Sequence, residues 1–128
     1  MKQALLDTNF ILTCVKQKID FFEDLKFKGL KILIPTQVIN EIEKISQEQK
    51  KKQKLHSKDI ANLSLKILKK KKNQFEEIDI KTGHVDKKIK KYVENNSEIL
   101  VATLDKELKR KIKNHKIVIR GRKKLEII

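Results

Sequence analysis

Cysteine, glycine, proline and aromatic side chains are scarce in this chain, and each scarcity excludes something. A single cysteine, Cys14, among 128 residues rules out an internal disulfide and any cysteine-built metal cluster. A reducing, cytoplasmic compartment fits that usage. Cys14 falls within a helical pattern and reads as a small buried hydrophobe. The three glycines, Gly29, Gly83 and Gly121, stand too far apart to form a P-loop or a dinucleotide-binding loop. No Ser sits at a sharp strand-to-helix turn, so a nucleophilic triad has no support. No apolar run approaches the ~20 residues that a membrane span needs. The opening, MKQALLDTNF, reaches Asp7 too early for a secretory signal, and no membrane partner is expected. With no Trp, one Tyr and five Phe, the core must be built from Ile, Leu and Val. Base stacking has little to draw on, and Tyr92, on the apolar side of its helix pattern, reads as core.

What is plentiful is positive charge. Lys and Arg number 32 against 17 Asp and Glu, a net charge of +15. Residues 1–48 hold seven Lys and seven acids, so the whole excess lies in residues 49–128. Such an excess predicts attraction to a polyanion through release of its counterions. Only three of the basic residues are Arg, a Lys bias that also suits a thermophile or an AT-rich genome. RNA contact is expected at Lys50, Lys51 and Lys52, and at Lys109 and Arg110. A last basic cluster holds Arg120, Arg122 and Lys123, where Arg can clamp a phosphate bidentately and Lys acts as a point charge. Recognition is then expected through backbone and shape.

Length predicts one domain, residues 1–128. A chain of this size buries roughly two-thirds of its unfolded surface. QALL at 3–6 reads as a short buried strand before a turn at 7–9. FILTCVKQ and DFFEDLKF read as short helices, the second stopped by Gly29. LKILIP is a second strand closed by Pro35. Val38, Ile42 and Ile45 then mark one face of a helix that Thr36 can cap. QEQKKKQK is a charged turn. Ile60, Leu63, Ile67 and Leu68 mark the next helix, FEEIDI a third strand, and KTGH a break. Val85, Ile89, Tyr92 and Val93 follow as a helix. EILVATL is the clearest strand, KELKRKIKN a helix with Leu108 and Ile112 inward, KIVIR a strand, and LEII a short edge. Alternation of this kind predicts an α/β layer fold with a mostly parallel sheet and right-handed connections.

In open α/β sheets, ligands bind outside the carboxyl ends of the strands. Asp7 follows the first strand and Asp105 the fourth. Glu41 lies one to two turns into the helix after the second strand, and Asp86 opens the helix after the third. All four can converge on one end of the sheet. Taken singly, each Asp is also a good helix cap, and an exposed Glu is ordinary. Together, four carboxylates repel one another unless a cation is present. A donor set of oxygens without His or Cys suits Mg²⁺ or Mn²⁺, which can activate water and stabilise charge on a phosphoryl oxygen. The three histidines are isolated. A phosphorelay receiver would need paired acids after the first strand. A haloacid-dehalogenase-type phosphatase would need an acid where Asn9 stands.

LLDTNF, PTQVINEI, VDKKI and VATLDKEL, in that order and covering essentially the whole chain, resemble the motifs of PIN-domain nucleases. The resemblance implies a three-layer, Rossmann-like fold with a central, mostly parallel five-stranded sheet. It implies a Mg²⁺ or Mn²⁺ site on Asp7, Glu41, Asp86 and Asp105, with Thr8, Asn9 and Thr103 orienting the carboxylates. Glu107 is a candidate fifth member. The implied activity is endonucleolytic cleavage of single-stranded or structured RNA. Many members are homodimers. VATLDKELKR followed by VIRGRKKLE looks like the archaeal branch of ribosomal-RNA processing, which implies a ribosome-assembly partner. VapC toxins share the four acids, and imply an antitoxin partner. Lys87 stands where the processing branch commonly carries a second acid, and Leu108 where the toxin branch carries an aromatic. The alternative is a PIN fold kept as a silent RNA-binding or assembly factor, which would have no need of all four carboxylates.

Overall fold

The computed structural model describes residues 2–48, 57–81, 85–121 and 123–128, the side chains of Val85 and Asp86 excepted. The elements are β1 (Gln3–Leu6), α1 (Thr8–Lys16), α2 (Phe21–Phe27), β2 (Lys31–Pro35), α3 (Thr36–Gln47), α4 (Ser57–Lys70), a 3₁₀ turn (Lys72–Gln74), β3 (Phe75–Ile78), α5 (Val85–Val93), β4 (Ile99–Ala102), α6 (Lys106–Lys111), β5 (Lys116–Arg120) and β6 (Lys124–Ile127). Most of the expected charged turn and of the KTGH break lies outside the described residues.

One sheet runs in the order β3-β2-β1-β4-β5-β6. The first five strands are parallel and β6 is antiparallel to β5. The sheet therefore has six strands, where five were expected. The sixth follows from chain length. Only Gly121 to Lys123 separate β5 from β6, room for a hairpin but not for the dozen or more residues of a parallel crossover. Gly121 takes φ +54° in that turn, the left-handed region that glycine enters without strain.

The strands are apolar on both faces because both faces are covered. Ala4 and Leu6, Ile32 and Ile34, and Leu100 and Ala102 point into one core with Phe10, Phe22, Val38 and Ile42 of α1 to α3. Leu5, Leu33, Ile99 and Val101 point the other way, against Ile89 and Val93 of α5 and Leu108 of α6. The result is three layers with helices on both sides of the sheet. In α4 the fully buried positions are Ala61 and Ser64, with Leu68 beside them, while Leu63 is left exposed. The expected stripe through Leu63 is thus rotated. Two small side chains let α4 approach α3 closely, and the larger Leu63 falls outside the contact. Tyr92 is 41 % exposed, which corrects its expected place in the core. Ile89 and Val93 fill the centre of the buried face of α5, and position 92 lies on its shoulder.

Two helix ends set the path from α1 through α2 to β2. α2 ends in a Schellman motif, with Gly29 at φ +76° and N–H bonds from Gly29 to the Lys26 carbonyl and from Leu30 to the Leu25 carbonyl. α1 ends the same way, but with Lys18 in the left-handed position at φ +60° and bonds from Lys18 to Val15 and from Ile19 to Cys14. A side chain there costs roughly 1 kcal/mol, and glycine's extra freedom in the unfolded chain takes back part of the gain. Lys18→Gly is therefore expected to stabilise the fold by about 0.5 kcal/mol. Urea unfolding checks this, as a higher midpoint at unchanged slope.

Candidate active site

From β1 the chain builds outward to β2 and β3, then returns to the other flank of β1 for β4 and β5. The crevice of a doubly wound sheet forms where that order reverses, here between the carboxyl ends of β1 and β4. Leu6 pairs with Ala102, and the Asp7 N–H donates to the Ala102 carbonyl at 2.9 Å. The residues that follow, Asp7 and Thr103, thus emerge side by side.

Asp7 is 5 % exposed and caps α1. Its Oδ1 accepts from the Thr8 N–H at 2.8 Å, and its Oδ2 accepts from the Thr103 hydroxyl at 2.8 Å. The Thr103 oxygen in turn accepts from the Asp105 N–H at 3.1 Å. Asp105 caps α6, with Oδ1 accepting from the Glu107 and Leu108 N–H groups at 2.9 and 3.2 Å. Glu41 is carried on the second turn of α3, and its Oε2 accepts from the Thr8 hydroxyl at 3.1 Å. Thr8 and Thr103, both buried, therefore tie Glu41 and Asp7 in place. Asp7 and Asp105, two of the expected acids, are helix caps, because a helix that starts at a strand tip presents its amides there.

The electrostatics centre on Asp7. Burial pushes its carboxyl above the ordinary value of 3.8, the bonds from Thr103 and Thr8 pull it back, and the charges of Glu41 and Asp105 raise it further. Asp7 therefore senses both of the other acids. Asp86 lies in the first turn of α5, with its side chain outside the described residues. Among the described residues no three acidic, His or Cys side chains are drawn together into a ready metal cage. The donors nevertheless suit a hard divalent ion. They are all oxygens, the innermost is buried and repelled by its neighbours, and a carboxylate oxygen that accepts one hydrogen bond keeps a further lone pair.

The remaining expected residues are spread more widely. Asn9 is exposed on α1, and among the described residues no hydrogen bond ties it to an acid. Glu107 lines a cleft of about 680 Å³ with Asp105, Lys87, Lys90, Lys91 and Lys111. Arg120 pairs with Glu126 across the β5–β6 hairpin, Nε to Oε2 at 3.3 Å. Arg110 and Lys123 are exposed, and Lys109 is half-buried. Lys50, Lys51, Lys52 and Arg122 lie outside the described residues, as do His56 and His84. The lysines of α5 were not among the expected contacts. Their signal was VDKKIKKYV, in which Lys87, Lys90 and Lys91 recur at i, i+3 and i+4. Two further ties went unforeseen. Gln37 of α3 donates to Asp79 at 2.6 Å and accepts from the Ile80 N–H at 3.2 Å, fixing the exit of β3. The buried Asn114 amide donates to the carbonyls of Val93, Asn96 and Ile99 at 2.8–3.2 Å, fixing the end of α5 against β4.

Residues 4–124 match the family described as the PIN-like domain. The chain belongs to the PIN-domain family. Ribonuclease VapC4 of Methanocaldococcus jannaschii is 31 % identical over 135 residues, covering 99 % of this chain and 97 % of that protein. The solved structure of the PIN domain endonuclease Utp24 superposes with a TM-score of 0.77 at 28 % identity, covering 98 % of this chain and 90 % of that one. This PIN domain is thus similar along its length both to a protein named a ribonuclease and to one named an endonuclease. Among the described residues no helix is long and apolar enough to cross a membrane.

Proposed function

We propose that this PIN domain, read as one unit over residues 1–128, is a metal-dependent endoribonuclease that hydrolyses phosphodiester bonds in single-stranded or structured RNA. The observation that carries this reading is the hydrogen-bonded chain that links Glu41 through Thr8 to the buried Asp7, and Asp7 through Thr103 to Asp105, at the carboxyl ends of β1 and β4. Its relatives, one named a ribonuclease and one an endonuclease, support it. Asp7, Glu41 and Asp105, joined by Asp86 from the start of α5, would hold Mg²⁺ or Mn²⁺. Bound there, such an ion lowers the pKa of water and shields charge on the phosphoryl oxygens. The protein's share is orientation. Thr103 holds Asp7, Thr8 holds Glu41, and the lysines beside Asp105 neutralise the RNA backbone. Water oxygen forms a bond to phosphorus as the bond to the 3′-oxygen breaks and that oxygen takes a proton, leaving a 5′-phosphate and a 3′-hydroxyl. A toxin acting with an antitoxin and a nuclease of ribosomal RNA processing both use this chemistry.

Cleavage of an end-labelled RNA with both hairpin and single-stranded segments tests it, in Mn²⁺, Mg²⁺ or EDTA. Wild type is expected to cut with either ion and not in EDTA. Asp105→Asn, which can still cap α6, is expected to lose about 100-fold or more. Cutting in EDTA, or undiminished cutting by the variant, overturns the reading. Binding without any cutting replaces it with the silent RNA-binding factor.

A further inference from the structure

We infer that α5 guides a single-stranded RNA away from the acidic centre, with its lysines on the phosphates and Tyr92 stacked on a base. This rests on the nuclease reading and names the surface that carries the strand beyond the acids. Asp105 lines the cleft beside α6, so whatever occupies it meets one of the three acids. Its walls carry Lys87, Lys90 and Lys91 of α5 and Lys111 of α6. Among the described residues none of these four is engaged in an ion pair. Glu94, Asp105 and Glu107 share those walls, but the four lysines outnumber them, and in a chain of net charge +15 they attract a polyanion.

A second, shallower groove of about 230 Å³ lies on the other flank of α5. Lys81, Lys88, Lys91 and Tyr92 line it, with Asp79 at its edge. Lys91 lines both grooves, so they adjoin across the helix, and a strand that lies in one can pass over Lys91 into the other. Tyr92 stands at the far side, half out of the core. An exposed aromatic ring among lysines offers a face to an unstacked base and a charge to its phosphate. Duplex RNA cannot use the ring, because its bases are already stacked and paired. Lys87 and Tyr92 are separated by about 7.5 Å along the helix axis, so the stacked base lies within a few nucleotides of the bond to be cut.

The chain has one Tyr and no Trp, so its tyrosine fluorescence reports this groove alone. The test titrates the whole protein in EDTA with oligouridylate, with a duplex RNA of equal length and with polyglutamate of equal charge. Oligouridylate is expected to quench Tyr92, and the other two to leave it unchanged. Lys87→Gln, Lys90→Gln and Lys91→Gln together are expected to weaken binding about 10-fold or more, and to flatten the dependence of log K on log salt by about two, at ~0.7 per phosphate contact on a single strand. Tyr92→Ala, followed by competition against labelled oligouridylate, should lose about 10-fold, and Tyr92→Phe should restore it. Quenching by duplex or by polyglutamate as strong as by oligouridylate overturns the inference. So does wild-type binding and cutting by the triple variant and by Tyr92→Ala, an outcome that leaves the nuclease reading standing. If oligouridylate quenches Tyr92 but wild type cuts no RNA with either ion, the strand path is upheld and the nuclease reading is what fails.

Discussion

Asp7→Asn is expected to abolish RNA cleavage and, in EDTA at neutral pH, to yield a protein that melts at a higher temperature than wild type. The two effects have one cause. Asp7 is buried at the meeting point of β1 and β4, and the charges of Glu41 and Asp105 bear on it. Its ionised form is therefore disfavoured in the fold and useful only when a cation is bound. Asn keeps the cap on α1, since its oxygen can accept from the Thr8 N–H as Oδ1 does, and Asn caps as well as Asp. Its amide can donate to the Thr103 hydroxyl, which turns to accept. What disappears is the negative charge, and with it a donor to the metal. Several kcal/mol of transition-state stabilisation rest on such an ion, so a loss of about 10³-fold in rate is expected, at ~1.4 kcal/mol per decade.

The pH dependence carries the same signature. A carboxyl whose folded value lies above its unfolded one contributes most stability below the unfolded value, and that contribution is lost as pH rises through the folded value. The melting temperature of Asp7→Asn should thus draw ahead of wild type as pH climbs from the ordinary 3.8 toward neutrality. Adding Mn²⁺ reverses the order, because an ion that binds only the native state stabilises in proportion to its affinity, and the variant has lost a donor. Scanning calorimetry at several pH values, with and without Mn²⁺, measures both. A variant less stable than wild type at every pH, or one equally stabilised by Mn²⁺, would falsify the assignment of Asp7 as a charged metal donor.

The strand tips were legible in the sequence because burial on both sides writes a nearly unbroken apolar run. QALL and ILVA end abruptly in Asp7 and in Thr103-Leu104-Asp105, and a parallel sheet places its ligands at such ends. Helix faces were read less well. Leu63 and Tyr92 both satisfied a helical period, yet the buried centres of their helices are Ala61 and Ser64 in one case and Ile89 and Val93 in the other. Periodicity marks a sector about 100° wide, and which edge of it meets the partner helix depends on how closely the two backbones approach. The edge expected at LEII is the sixth strand, β6, and its antiparallel direction is decided by a turn of three residues, below the resolution of a pattern of hydrophobicity. The lysine track of α5 was hidden by abundance. In a chain with so many Lys, only tertiary placement tells those that line a cleft from those that face bulk water. Thr8 was expected to orient an acid, but that the acid is Glu41, across 33 positions of sequence, is again a matter of tertiary placement.

Thr103→Val shows how much of the site rests on a hydroxyl. Thr103 is fully buried and relays one hydrogen bond into another, from the Asp105 N–H to its own oxygen and from its own O–H to Asp7 Oδ2. Val has nearly the same shape, so no cavity forms, but the Asp105 amide and Asp7 Oδ2 both lose a partner in a setting with little water. Stranding buried polar groups in this way costs about 1–3 kcal/mol, and a lower midpoint in urea should register it. Catalysis should fall by about 10- to 100-fold, as when a group that orients a metal-binding carboxylate is removed. The decisive readout is the pH profile of cleavage. The Thr103 bond holds the Asp7 carboxyl down against burial, so without it Asp7 ionises only at higher pH. The acid limb of the rate profile, which reports an essential carboxylate, moves the same way. Thr103→Ser keeps the hydroxyl and should return the limb to its wild-type position, even though the lost methyl leaves the fold somewhat less stable. If Val lowers the rate without moving the limb, Thr103 supports the fold beneath the site but does not tune Asp7.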